Sequence, residues 1–174
     1  MLLLLSPLFV MVALAIFLED GAPVFFVQKR VGKNYSFFAL YKFRTMKKDT
    51  PNVATHLLDN PKQYLLGLGG LLRKLSLDEL PNLVNIVRGE MAFVGPRPAL
   101  YNQEDLMALR LAAGVEKQMP GITGWAQING RDSISLEEKV ALEKYYLDNQ
   151  SLALDLKILW RTLFKVAGDT TVSH

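Results

Sequence analysis

The chain has 174 residues, half of them hydrophobic and 21% charged, with a mean hydropathy of +0.15; the length suits one domain, disorder is excluded, and the apolar content exceeds what a soluble domain needs. Cysteine is absent, which excludes disulfides, thiolate nucleophiles and cysteine-ligated zinc, and two histidines, His56 and His174, are too few for a histidine metal cage. The formal charge of +3 is unevenly placed, because Lys29 to Lys48 carries seven Lys or Arg and no Asp or Glu, which points to an anionic partner or surface.

Met1 to Leu18 contains no charged side chain and as a helix would extend roughly 27 Å, close to the thickness of a bilayer core. Ala13-Leu14-Ala15 could serve as a signal-peptide cleavage site, but no basic segment precedes the apolar run. A spanning helix and a re-entrant helix both remain. Ser6-Pro7 bears on that choice, since proline removes a donor and clashes with the preceding turn, so a helix there is expected to kink and can turn back. Alternatively Pro7 falls early enough in an ordinary anchor to be tolerated. The basic residues from Lys29 onward place the downstream portion of the chain on the cytoplasmic side.

Val24 to Val27 and Ala39 to Arg44 read as short strands of a hairpin around Gly32-Lys33-Asn34. Helices are expected from Pro61 to Leu75, broken near Gly67-Leu68-Gly69-Gly70, from Asp78 to Arg88, from Gln103 to Ala113 ending at Gly114, and from Leu136 to Leu147. Ser135 and Glu138 have capping-box spacing. In the last helix, about Asp155 to Val166, Lys157, Arg161 and Lys165 stand four apart against Leu156, Leu159, Trp160, Leu163 and Phe164. That stripe suits either core packing or a membrane surface, and an apolar anchor in the same chain favours the surface.

Three segments carry the chemistry. Leu75 to Leu83 sets Asp78 and Glu79 at a predicted helix start, where the dipole favours an anion; Ser76 with Glu79 also has capping-box spacing, and Asp78 could be the N-cap, so capping competes with catalysis. In Gly95-Pro96-Arg97-Pro98 two prolines fix the backbone around one arginine, which aims Arg97 either as a phosphate clamp or into an exposed turn. Met119 to Arg131 has the turn formers, amides and arginine of a binding loop, with Trp125 free to stack on a base or sugar, sit in an interfacial belt, or fill a core. The basic, aromatic stretch from Lys29 to Lys48 could by composition bind nucleic acid, but beside an anchor it fits anionic lipid headgroups better.

Lys42-Phe43-Arg44-Thr45-Met46, Ser76 to Pro81, Gly95 to Pro98, Pro120 to Arg131 and Leu154-Asp155-Leu156-Lys157-Ile158 together resemble the bacterial sugar transferases, the monotopic phosphoglycosyl transferases, in that family's order and over nearly the whole chain. The resemblance implies a helix-dominated α+β fold: a re-entrant membrane helix over residues 1–20, then a membrane-associated catalytic domain over 21–174, with a short hairpin and amphipathic surface helices around a catalytic helix start. It implies transfer of a sugar phosphate from a UDP-sugar to polyprenyl phosphate, usually undecaprenyl phosphate, with release of UMP at the cytoplasmic face of the bacterial inner membrane, initiating a glycan.

By the same resemblance Asp78 is the nucleophile and Mg2+ lies beside it, with Glu79 supporting metal or proton handling. Ser6-Pro7 matches the family's helix break. Arg73 and Arg97 are the expected phosphate contacts, Lys42 and Arg44 weaker ones, and Gln127 and Arg131 belong to the donor loop. A carboxylate attacking phosphorus gives an acyl phosphate and ping-pong kinetics. The expected partners are the UDP-sugar, the polyprenyl phosphate and membrane lipids, with no nucleic acid; the oligomeric state stays open, a homodimer included. Met119 and Glu90 replace a basic residue and an aspartate usual in the family. Members usually also have basic residues and more chain before the apolar helix, so a shortened or mis-set start is in view. Rival readings are a catalytically silent membrane-surface scaffold and a lipid-phosphate hydrolase.

Overall fold

The computed structural model describes residues 2–51, 60–130 and 134–168. Its elements are, in chain order, α1 (Leu2–Asp20), β1 (Phe25–Val31), β2 (Phe37–Phe43), α2 (Gly69–Lys74), α3 (Asn82–Val87), β3 (Ala92–Val94), α4 (Glu104–Ala113), β4 (Gly121–Thr123), α5 (Trp125–Asn129), α6 (Leu136–Asp148) and α7 (Leu152–Gly168). The fold is helix-dominated α+β, as expected. β1 and β2 form the antiparallel hairpin, and β3 and β4 form a second, parallel pair in the register Ala92↔Gly121 and Val94↔Thr123. That second pair was not expected: three-residue strands are too short to show a period of two.

The chain divides into two units. The first is built from Met1–Val27 and Tyr41–Leu83, the second from Gln28–Leu40 and Val84–Ala167.

In the first unit α1 is helical on both sides of Pro7. Leu8, Val12 and Ile16, one turn apart, with Phe9 and Ala13, join Phe43, Leu66 and Leu72 in its core. The other face, Val10, Met11, Leu14, Phe17 and Leu18, is more than half exposed. Among the described residues no helix is long and apolar enough to cross a membrane. The helix predicted from Pro61 to Leu75 is a 3-10 turn at Pro61–Tyr64 followed by α2. Between them Leu65 bridges Met46, and Leu66 N–H donates to Thr45 O at 3.0 Å. Pairing with an extended neighbour holds these residues out of the helix.

The second unit has three small cores. Val31, Ala99, Leu106, Val115 and Val140 form one, Val94, Ile128, Tyr146 and Ile158 another, and Phe38, Leu40 and Met91 the third. α4 stops at Gly114, whose φ of 75° is the left-handed terminator that glycine supplies. At the start of α6 the Ser135 capping box is formed: Glu138 N–H donates to Ser135 Oγ at 3.1 Å and Ser135 N–H to Glu138 Oε2 at 3.2 Å. α7 buries Ile158 completely yet leaves Leu152, Leu156, Trp160, Leu163 and Phe164 more than half exposed, so core packing accounts for only one edge of its apolar residues.

Candidate active site

Asp78 is not at an α-helix start. It lies in a single 3-10 turn, Leu77–Glu79, and α3 begins only at Asn82. Two backbone facts account for this. Pro81 has no N–H to give to the carbonyl one turn back, so the α-helix cannot form until the chain has passed it. Ser76 has φ 54° and ψ 22°, a left-handed conformation that ends α2 and turns the chain sharply into the Asp78 turn. An N-cap needs extended backbone, so the Ser76–Glu79 capping box does not form, and Ser76 makes no side-chain cap bond.

Glu79 turns instead to Lys42, whose Nζ donates to Glu79 Oε1 at 2.7 Å and stands 4.0 Å from Asp78 Oδ2. Asp78 is 8% exposed. Arg73, near the end of α2, is the second cation: its Nε donates to Thr45 Oγ1 at 2.9 Å. Burial pushes its guanidinium below the usual arginine value, and the Asp78 carboxylate works against that shift. Two carboxylates and two cations thus share one largely buried cluster. Asp78, Glu79, Lys42 and Arg73, singled out in the sequence, are brought together.

Arg44, expected beside Lys42 as a phosphate contact, is buried at the end of α1 instead. Its Nη2 donates to Asp20 O at 3.2 Å and Gly21 O at 2.6 Å, and its Nη1 is 2.9 Å from Asp20 Oδ2. A cation on the last carbonyls of a helix satisfies acceptors that have no intrahelical donor. Phe43, between the two charged residues, packs against Phe9 of α1 at a centroid distance of 5.4 Å.

Arg97 and Gln127 belong to the second unit. Arg97 is half-buried, and Gln127 Nε2 donates to Ile122 O at 2.9 Å, tying α5 to β4. Gly95 and Gly124 bring the Pro96–Pro98 loop and the donor-loop segment into backbone contact: a Cβ on Gly95 would lie 2.2 Å from Met119 O, and one on Gly124 2.1 Å from Gly95 O. Trp125 stacks on Tyr145 at 5.4 Å, with Lys157 Nζ 5.5 Å and the Arg161 guanidinium 5.9 Å from its ring centre. Its ring is therefore engaged within its own unit. Arg131, the other donor-loop residue, lies outside the described residues, as does His56.

Comparison with known proteins gives this geometry its chemical setting. A family model described as bacterial sugar transferase matches residues 1–169. The chain belongs to that family. It is 48% identical over 149 residues to the uncharacterized sugar transferase EpsL of Bacillus subtilis, covering 86% of this chain and 72% of that one. It is 40% identical to the exopolysaccharide production protein ExoY of Rhizobium meliloti, covering 93% and 78%. It is also 37% identical to the UDP-glucose:undecaprenyl-phosphate glucose-1-phosphate transferase of Escherichia coli, covering 94% of this chain but 37% of that larger protein.

Several buried polar residues of this transferase, in one unit or the other, were not apparent from the sequence. Thr45 holds Arg73, yet a lone threonine beside a basic strand carries no pattern. Asn82 is 2% exposed, and its Oδ1 has no hydrogen-bond partner among the described residues. Arg110 and Glu143 form a buried pair on α4 and α6. Here a signal existed: Glu143 falls between Val140 and Tyr146 on the buried face of α6, where a charge demands a partner.

Proposed function

We propose that the chain transfers a sugar phosphate from a UDP-sugar to polyprenyl phosphate, releasing UMP, through a covalent intermediate on Asp78. The observation that carries this reading is the Asp78 carboxylate held in a tight turn beside Lys42 and Arg73 in a member of the sugar transferase family. The relative from Escherichia coli is named for a glucose 1-phosphate transfer from UDP-glucose to undecaprenyl phosphate, which supports the donor and acceptor classes.

An Asp78 carboxylate oxygen attacks the β-phosphorus of the donor. The bond from that phosphorus to the bridging oxygen breaks, UMP leaves with that oxygen, and an acyl phosphate carrying the sugar remains on Asp78. A phosphate oxygen of the polyprenyl phosphate then attacks the same phosphorus and breaks its bond to the Asp78 oxygen. The product is a polyprenyl diphosphate sugar, and the Asp78 carboxylate is regenerated. Lys42 and Arg73 offset negative charge on the phosphoryl oxygens during both displacements, and Arg97 is assigned the same task. Glu79 holds Lys42 against the turn, so that its ammonium serves Asp78 as well.

Magnesium fits the donor set. Among the described residues no group of three or more His, Cys, Asp or Glu could hold a metal, but magnesium commonly takes one or two carboxylates and completes its shell with substrate phosphate and water. Asp78 and Glu79 would hold it, and when bound it would reduce repulsion between the donor diphosphate and the attacking carboxylate.

The reaction is placed at the cytoplasmic face of the bacterial inner membrane, with residues 1–20 as a re-entrant anchor that turns at Ser6-Pro7. Support comes from the exposed apolar face of α1 and from Leu71 of α2 and Leu68 and Leu75 at its two ends, exposed in the same unit; exposed apolar surface in quantity marks a membrane or partner contact. In the second unit the outward stripe on α7 is of the kind that lies on a membrane surface.

The test is UMP release from a panel of UDP-sugars by protein in lipid nanodiscs containing undecaprenyl phosphate. Asp78→Asn is expected to be inactive, and with acceptor withheld the wild type should carry a phosphosugar adduct on Asp78 by mass spectrometry. Full turnover by Asp78→Asn would remove the nucleophile. Sugar phosphate passing to water at the same rate without acceptor would make the enzyme a hydrolase, and absence of UMP would leave a scaffold.

A further inference from the structure

The Pro96–Ala99 loop presents four consecutive carbonyls, and each has a separate donor. Pro96 O accepts from Gly121 N–H at 2.9 Å and Ala99 O from Val31 N–H at 3.0 Å. The two between them are held by side chains: Arg97 O accepts from Arg110 Nη2 at 2.9 Å, and Pro98 O from Arg30 Nη1 at 2.9 Å. Prolines at 96 and 98 supply no N–H, so the loop cannot join a regular ladder, and its buried carbonyls need donors from elsewhere.

Arg110 is itself fixed. Its Nε donates to Glu143 Oε2 at 2.8 Å and its Nη2 to Glu143 Oε1 at 2.5 Å, a two-pronged pair in which Arg110 is 7% and Glu143 2% exposed. The same Nη2 that closes the fork reaches Arg97 O. A buried ion pair is a poor way to gain net stability, because apolar residues of equal volume serve as well or better. What apolar residues cannot do is present a donor to one chosen carbonyl. The planar guanidinium does both at once, and a lysine ammonium lacks the rigid fork to do so.

We infer that the Arg110–Glu143 pair positions Arg97: it fixes the backbone carbonyl of that residue, and with it the origin of the side chain that meets the donor's phosphate. This rests on the function proposed above. Arg110 and Glu143 touch no substrate; they act through Arg97. The expected consequence is large for so remote a pair, since displacement of a phosphate contact by about 1 Å costs up to ~100-fold in rate.

The experiment is a double-mutant cycle on UMP release, using whichever of UDP-glucose, UDP-galactose, UDP-N-acetylglucosamine and UDP-N-acetylgalactosamine the wild type turns over. Arg110→Met/Glu143→Leu replaces the pair by apolar residues of similar volume. Arg110→Lys keeps a cation on Glu143 but loses the fork, and serves where the first variant fails to fold. Each should lower kcat/KM on the order of tenfold in the Arg97 background and change it by less than about twofold in Arg97→Ala, because coupled residues are not additive. Thermal melting should show each variant folded. Equal losses in both backgrounds, or no loss in either, would overturn the positioning role. A wild type that releases no UMP from any of the four donors would instead overturn the proposed function, and the role of Arg97 with it.

Discussion

Replacing Lys42 by methionine tests the charge cluster most directly, because methionine keeps the length and apolar stem and removes only the ammonium. In the folded protein that ammonium contacts Glu79 at 2.7 Å and lies 4.0 Å from Asp78, and the side chains of all three are 11–17% exposed. Two unit charges 4 Å apart attract by about 4 kcal/mol at an effective dielectric of 20, before desolvation is subtracted. An exposed pair would retain about 0–1 kcal/mol of that, and breaking a fully buried one costs about 3–5 kcal/mol. This cluster is closer to the buried case, so we expect a loss of about 2–3 kcal/mol. In a chain of this size that lowers Tm by roughly 4–12 °C. If the ammonium faces the transferred phosphate as well as the carboxylates, kcat/KM for UMP release should fall by a similar free energy, roughly 30- to 150-fold. Lys42→Arg should recover part of both. The double variant Lys42→Met/Glu79→Gln should recover stability, because the uncompensated Glu79 carboxylate has gone, but not activity. An unchanged Tm in Lys42→Met, together with zero coupling to Glu79, would refute the reasoning.

Ser76→Val should destabilise the protein by about 1–2 kcal/mol relative to Ser76→Gly, since a β-branched residue strains the left-handed backbone that glycine adopts freely; a melt of the two variants reads the difference, and UMP release should fall only in the valine variant. Gly95→Ala should cost about 1–3 kcal/mol, the range for overpacking, because its methyl would meet Met119 O; chemical denaturation measures it. Burial, reinforced by the hydrogen bond and charge of Asp155, pushes the Tyr146 phenol well above its ordinary value. The folded chain then keeps that proton at pH values where the unfolded chain loses it, so this contribution is intact below about pH 10 and declines as pH rises further. Tyr146→Phe should flatten that alkaline decline in Tm, while costing about 1 kcal/mol at neutral pH through the lost hydrogen bond.

What could be read from the sequence is what local chemistry decides. Gly114 ends α4 and Ser135 caps α6 because both signals act within a few residues. The hairpin was legible from its alternation, although its strands, expected at Val24 to Val27 and Ala39 to Arg44, run Phe25–Val31 and Phe37–Phe43, longer toward the turn and without Val24 and Arg44. Asp78 and Glu79 were recognisable as chemistry, but not their backbone: capping-box spacing around Ser76 and Glu79 is the same whether or not Ser76 is extended, and only the left-handed turn and the competing Lys42 decide. Long-range pairing defeated the reading elsewhere. Nothing near Arg110 in sequence names Glu143, 33 positions away. Nothing near Arg44 says that its charge is spent on the carbonyls of Asp20 and Gly21.

Three neighbouring residues of β2 and its exit explain why an apolar helix and the Asp78 turn share one unit. Lys42 reaches Glu79 and Asp78, Phe43 is 1% exposed in the core that α1 lines with Val12 and Ile16, and Arg44 caps the last turn of α1. Alternation along an extended chain forces Lys42 and Phe43 to opposite faces. A residue that anchors in the α1 core therefore obliges its predecessor to point away from that core, toward the turn carrying Asp78. The position of the Lys42 ammonium is thus tied to α1 through a single peptide bond. Loosening α1, for instance by Ile16→Ala, which empties a fully buried site and should cost about 2–5 kcal/mol, should also reduce turnover in the molecules that remain folded. Equal turnover per folded molecule in Ile16→Ala and the wild type would show that α1 does not orient the Lys42 ammonium.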